Sequence, residues 1–128
     1  MSGGVPITAL YAGVLGLLAV GLANQVLYAR LRAHKLPDWK PETVLRVQAN
    51  FVENVPLALV LLLVLELQQA AAPVLHCLGG ALVICRLLHA WGMSRNPGAN
   101  YPRLIGAQGT FLLVSIMSVA AIYGSTGL

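Results

Sequence analysis

Residues 42–67 read ETVLRVQANFVENVPLALVLLLVLEL, and the reading of this stretch decides the fold. Its first half carries a line of polar groups, Glu42, Arg46, Asn50 and Glu53, closing at Pro56, and an apolar run from Phe51 to Leu65 begins in the middle of that line. At about 100° per helical residue, positions 42, 46, 49, 50, 53 and 56 fall within roughly 120° of one another. One face of a helix therefore bears Glu, Arg, Asn and Glu, and the rest is Val, Leu, Phe and Ala. Charges at membrane depth are costly, so they face a bundle interior or a wet cavity and mark a working site.

The composition agrees with a membrane setting. The chain has 128 residues, 58% hydrophobic and 9% charged, where a soluble domain carries about 25% charged residues. This predicts an all-α integral membrane protein with one domain, residues 1–128. The net charge of +4 is gathered beside the spans, so it does not point to nucleic acid. Cys77 and Cys85 are eight apart on one predicted helix, too far to bridge each other, and read as reduced fillers.

Four segments are long enough to cross a bilayer, which takes about 20 helical residues. They run from about Val5 to Tyr28, Val47 to Leu67 (continuing a helix that starts near Glu42), Ala72 to Trp91, and Leu104 to Tyr123. No basic segment precedes the first span, which is too long for a signal peptide and is expected to be retained. The first connection holds Arg30, Arg32, His34, Lys35, Lys40 and Arg46; the third, from Gly92, holds Arg95 and Arg103 around the turn Asn96-Pro97-Gly98. The second, Gln68 to Ala71, is uncharged. In a four-helix bundle the first and third connections share a side, and the positive-inside rule makes that side cytoplasmic and both termini non-cytoplasmic. Tyr28, Trp39, Trp91 and Tyr101 gather at the same face, as an aromatic belt does. Gly13, Gly16, Gly21, Gly79 and Gly80 read as close helix–helix contacts.

The chemistry concentrates on the second and third helices. Glu42 and Arg46 are spaced i, i+4 and suit a pair; Arg46, Asn50 and Glu53 continue along the same side. A purely structural role would leave these groups pairing with one another as interhelical glue, but such contacts average only about 0.6 kcal/mol in membranes, a weak reason for so many of them. Arg86 and His89, three apart, share a face of the third helix. Arg86 suits a buried ion pair with Glu53, and His89 near the boundary suits a hydrogen-bonded or snorkelling role. Arg30, Arg32 and Arg103 anchor helix ends by default. Functionally, Arg30, Arg46, Arg86 and Arg103 would converge as a cationic pocket for a small polyanion, since guanidinium groups bind carboxylates bidentately. Glu66 reads as a snorkelling residue, Asn24 and Gln25 as helix-contact hydrogen bonders, and Thr110, Ser115 and Ser118 as back-bonded to their own helix. There is no GxSxG, no P-loop and no zinc or other metal-ligand spacing.

The run Arg46-Val-Gln-Ala-Asn50-Phe-Val-Glu53-Asn-Val-Pro56 resembles the second-helix signature of the MAPEG superfamily, the membrane-associated proteins of eicosanoid and glutathione metabolism that include microsomal glutathione transferases. The run Arg86-Leu-Leu-His89-Ala-Trp-Gly92 is similar to its third-helix signature, and the nearest likeness is to short bacterial members. The resemblance implies a homotrimer of four-helix bundles in a bacterial inner membrane, with a glutathione site between subunits near the cytoplasmic face. It implies that Arg30, Arg46, Asn50, Glu53, Arg86 and His89 bind glutathione, Glu53 meeting its amino group, and that Arg103 stabilises the thiolate. The implied activity is transfer or peroxide reduction on lipophilic electrophiles or lipids arriving from the bilayer.

The chain departs from the family pattern at Ala49, where a further basic residue is common, at Leu104, where some members have Ser, and at Met93, where several have Tyr. These departures favour a second hypothesis, a non-catalytic lipid- or ligand-binding scaffold of the same fold. A small multidrug-type transporter fits in size, but the first span lacks the deep carboxylate such a protein needs.

Overall fold

Lipid offers backbone amides no partner, so an apolar chain that crosses a bilayer without strands must satisfy them along helices. The computed structural model describes residues 4–35, 42–95 and 101–126, apart from the side chains of residues 29, 32–35, 42–44, 92–95 and 101–103. It contains α1 (Pro6–Lys35), α2 (Glu42–Leu67), α3 (Ala72–Arg95) and α4 (Tyr101–Ser125). All four are long and apolar enough to span a membrane, over Pro6–Tyr28, Leu45–Leu67, Ala72–Trp91 and Leu104–Ser125. The sequence-derived spans coincide with these to within about two residues at each end. The expectations placed on Arg32, His34, Lys35, Trp39, Lys40, Glu42, Met93, Arg95, Tyr101 and Arg103 rest on side chains outside the described set.

Prolines mark several starts. Pro6 opens α1, and Pro73 and Pro102 lie in the first turns of α3 and α4, where an amide hydrogen has no intrahelical acceptor to lose. Pro56 is different: it sits inside α2 and leaves the carbonyl four residues before it, that of Val52, without its helical donor.

The helices run up, down, up and down. α2 and α3 each pack against all the others, and among the described residues α1 and α4 do not approach one another. The section is therefore a rhombus with α2 and α3 on its short diagonal. Its centre is filled by Leu15 and Leu22 of α1, Val47, Phe51, Val55, Ala58, Leu62 and Leu65 of α2, Leu75 and Leu82 of α3, and Leu113 and Met117 of α4. Outward-facing residues such as Leu17, Val119 and Ile122 are equally apolar and largely exposed, as a lipid-facing surface requires. Because lipid tails are as apolar as leucine, close packing and interhelical hydrogen bonds hold such a bundle, not the hydrophobic effect.

Among the described residues, side-chain hydrogen bonds join α1 to α2, α1 to α3 and α2 to α4 at the end where α1 and α3 begin and α2 and α4 finish. Ile7 N–H and Thr8 N–H donate to the two carboxylate oxygens of Glu66 at 3.0 and 2.7 Å. Glu66 thus caps the first turn of α1 from another helix, satisfying two of the amides that have no acceptor within that helix, instead of snorkelling to the interface. The Tyr11 hydroxyl donates to the His76 carbonyl at 3.2 Å and lies 2.9 Å from its Nδ1. Gly79 leaves room for the Tyr11 ring, which a β-carbon there would overlap. Gln68 Nε2 donates to the Ala121 carbonyl at 3.2 Å, tying α2 to α4.

The turn between α2 and α3 is a Schellman motif. Gln69 N–H donates to Glu66 C=O and Ala70 N–H to Leu65 C=O, and Gln69 takes the left-handed conformation with φ 66°, which this motif requires and glycine adopts without strain. Replacing Gln69 with Gly should stabilise the detergent-solubilised protein by on the order of 1 kcal/mol, read as a higher thermal midpoint. Glu66→Ala should uncap α1 and accelerate hydrogen–deuterium exchange at the Ile7 and Thr8 amides while leaving α3 amides unchanged.

Candidate functional site

A guanidinium is the largest fully buried side chain among the described residues. Arg86, on α3, is 2% exposed and sits where α2, α3 and α4 meet. Its Nη1 donates to Thr110 Oγ1 of α4 at 3.3 Å, and its Cζ lies 5.7 Å from the centroid of the Phe51 ring of α2, within cation–π reach. Nε and Nη2 are buried and unpartnered. The ion pair expected between Arg86 and Glu53 does not form within the chain. Arg86 turns toward α4, and Glu53 is exposed on the outside of α2.

Two glycines bring α4 onto α3 at this level. A β-carbon on Gly106 would stand 2.5 Å from the Cys85 carbonyl oxygen and 2.6 Å from the His89 nitrogen; one on Gly109 would stand 2.5 Å from Cys85 Sγ. At Gly106 the atoms met are backbone, so the helices would have to part; at Gly109 the Cys85 side chain would have to move. This approach flanks Arg86 and puts Thr110 against it. His89, one turn further along α3, is 4% exposed and packs beside Gly106. The small-residue signal that marks close crossings is present in the spacing Gly106-x-x-Gly109, which the sequence reading passed over. Gly13, Gly16 and Gly21, which it did single out, meet nothing within 4 Å at their β-positions and lie on the outward face of α1.

The α2 polar stripe is where periodicity places it on the helix, but it points out of the bundle. Arg46, Ala49, Glu53 and Pro56 are exposed, whereas Val47, Phe51, Val55 and Ala58 are buried. Asn50 is half-buried at the edge: its carbonyl accepts from Asn54 Nδ2 at 2.8 Å, and its own Oδ1 is buried and unpartnered. Arg30, toward the end of α1, is exposed. Asn24 and Gln25 also face outward, so the interhelical hydrogen bonds expected of them are not made inside the chain. Thr110, Ser115 and Ser118 bond back to the carbonyls of Gly106, Phe111 and Val114 at 2.8, 2.9 and 2.7 Å, as expected. Cys77 and Cys85 are free thiols.

One chain thus brings Arg86, His89, Thr110 and Phe51 together, and leaves Arg30, Arg46 and Glu53 on its outer surface with Asn50 at the margin. All belong to the half of the bundle toward the basic connections. A shallow apolar groove on α4, lined by Ser115, Ile116, Val119, Ala120 and Tyr123, lies roughly 7–20 Å further along that helix at 1.5 Å per residue, away from the guanidiniums.

Four helices long and apolar enough to span a membrane define an integral, multi-pass membrane protein. The chain belongs to the MAPEG family, whose family model matches residues 8–123. That covers nearly its whole length, including both polar helix faces. Comparisons with curated proteins and with solved structures give no match. Membership is consistent with glutathione-linked transfer or peroxide reduction, or with eicosanoid metabolism.

If the α3–α4 crossing depends on Gly106, then Gly106→Ala must push the helices apart. Overpacking of this kind costs about 1–3 kcal/mol, so the variant should melt earlier, while Gly13→Ala, which meets open space, should melt like the parent protein.

Proposed function

We propose that this protein is a glutathione-dependent transferase or peroxidase acting on lipophilic electrophiles in the membrane. The observation that carries the reading is the outward-facing stripe of α2. Arg46, Asn50 and Glu53 lie at membrane depth on a surface that lipid cannot satisfy, and the chain itself does not cover them. A neighbouring copy together with a small zwitterionic ligand would. Glutathione carries two carboxylates, one ammonium group and a thiol, and the arginines, Asn50 and Glu53 form a donor and acceptor set of matching sign.

In this reading the protein is a homotrimer of single-domain chains, with the site between subunits at the cytoplasmic face and both termini on the other side, in a bacterial inner membrane. Arg30, Arg46, Asn50, Arg86 and His89 hold the tripeptide, and Glu53 receives its amino group. Arg103 faces the sulfur. A free thiol, with pKa about 8.5, is largely protonated at neutral pH, and a neighbouring guanidinium favours the thiolate. In conjugation the thiol proton leaves to solvent, the sulfur lone pair forms the bond to the electrophilic carbon, and the leaving group departs with its electrons. In peroxide reduction two glutathiones give one disulfide, an alcohol and water. The lipid-facing position joins a polar co-substrate to an apolar one in a single site, which supplies the proximity term.

The departures at Ala49, Leu104 and Met93 support a second reading, in which the same site binds an anionic or lipid ligand without turnover.

The test is glutathione binding by the detergent-purified protein, followed by calorimetry and by the ultraviolet thiolate difference spectrum. Arg46→Ala should weaken binding by about ten- to a hundredfold, as expected for loss of a charge-assisted hydrogen bond. Arg103→Ala should retain binding and lose the thiolate signal at neutral pH. Saturable binding with no thiolate in the parent protein would favour the non-catalytic reading; no saturable binding would sink the glutathione reading and leave the arginines as a scaffold or a site for another anion.

A further inference from the structure

Arg86 carries five N–H donors, and the bundle supplies an acceptor to one nitrogen. Thr110 takes Nη1 at 3.3 Å, while Nε and Nη2 are buried without partners. Those two nitrogens form one edge of the guanidinium plane. It is an edge along which a carboxylate binds with two parallel hydrogen bonds.

Thr110 is held as firmly as the group it holds. It is 0% exposed, and its own hydroxyl hydrogen goes to the Gly106 carbonyl at 2.8 Å. This leaves its oxygen lone pairs to face Arg86. The Gly106 and Gly109 crossing fixes the distance between the helices, so the hydroxyl meets Nη1 without reaching the opposite edge. The Phe51 ring closes one face of the plane at 5.7 Å.

We propose that Thr110 is a positioning residue: by fixing Nη1 it turns the Nε–Nη2 edge of Arg86 into a two-pronged receptor for one carboxylate of the bound ligand. This rests on the glutathione reading for the identity of that ligand. Both nitrogens of the edge are buried in the chain alone, so a carboxylate must enter the α2–α3–α4 junction to meet them. A ligand that satisfies two buried donors binds the folded state alone and raises its stability.

Two measurements test this on the full-length protein in detergent. The first is a stability cycle without ligand, comparing the parent with Thr110→Val, Arg86→Met and the double variant. If Thr110 acts through Arg86, Thr110→Val lowers the thermal midpoint in the parent background and has no further effect once Arg86 is gone. Additive effects would overturn the proposal. The second is the dissociation constant for glutathione. Thr110→Val should weaken it by about tenfold, the equivalent of one hydrogen-bond contribution, and Thr110→Ser, which keeps the hydroxyl, should restore it. A Thr110→Val protein that binds glutathione like the parent would overturn the presenting role. A coupled stability cycle in a parent protein that binds no glutathione would retain the tether and discard the glutathione reading.

Discussion

Burying the Arg86 guanidinium between α2, α3 and α4 carries an effective desolvation cost of several kcal/mol, and the chain offsets only part of it with a Thr110 hydroxyl and the face of Phe51. Much of the arrangement at the basic half follows from that imbalance. Gly106 must lack a side chain for α4 to come within reach of the α3 backbone. Thr110 must be fully enclosed for its hydroxyl to be dedicated to the task. Phe51 must be buried on α2, which rotates the α2 helix so that Arg46 and Glu53 point away from the bundle. One constraint, a buried cation, thus bears on the packing on one side of α2 and the polar surface on the other.

The two ends of the bundle are built differently. At the end where α1 and α3 begin, Glu66, Tyr11, His76 and Gln68 join α1 to α2, α1 to α3 and α2 to α4 through hydrogen bonds. At the other end the charged groups Arg30, Arg46 and Glu53 are exposed, and Asn50 Oδ1 and two nitrogens of Arg86 are unpartnered. Polar networks that are fully satisfied rigidify a structure, and partly satisfied ones are costly. Among the described residues, the unpartnered Asn50 Oδ1 and Arg86 nitrogens put the open hydrogen-bonding groups of α2 and α3 in the half that also carries Arg30, Arg46 and Glu53.

The spans were legible because length and composition alone specify them: no run of about 20 apolar residues has another stable place in this chain. The grouping of Arg46, Asn50 and Glu53 was legible too, since helical periodicity fixes which residues share a face. The direction of that face was not. Periodicity is defined within one helix, and whether a stripe looks inward depends on the rotation of the helix against its neighbours, here set by Val47, Phe51, Val55 and Ala58. For the same reason the sequence paired Arg86 with Glu53, two opposite charges at similar depth, and missed Thr110, whose hydroxyl looks like an ordinary back-bonded threonine and also is one. Glycines on α1 and on α4 look alike in sequence; only the packed backbones distinguish Gly106, against α3, from Gly16, against lipid. Glu66 read as a boundary residue because its acceptors' partners, the amides of Ile7 and Thr8, are 58 or more residues away in the chain.

That last contact bears on how the protein reaches its topology. α2 and α3 are joined by a tight turn and form a helical hairpin, with Glu66 next to its tip. The first-turn amides of α1 have been synthesised long before, and they remain short of acceptors until the hairpin comes into place beside them. A hairpin inserted one helical turn out of register would part a carboxylate from two amides at the edge of the membrane. A single side chain therefore acts as a register check on membrane insertion, making the wrong vertical alignment of α1 against α2 costly at both partners at once.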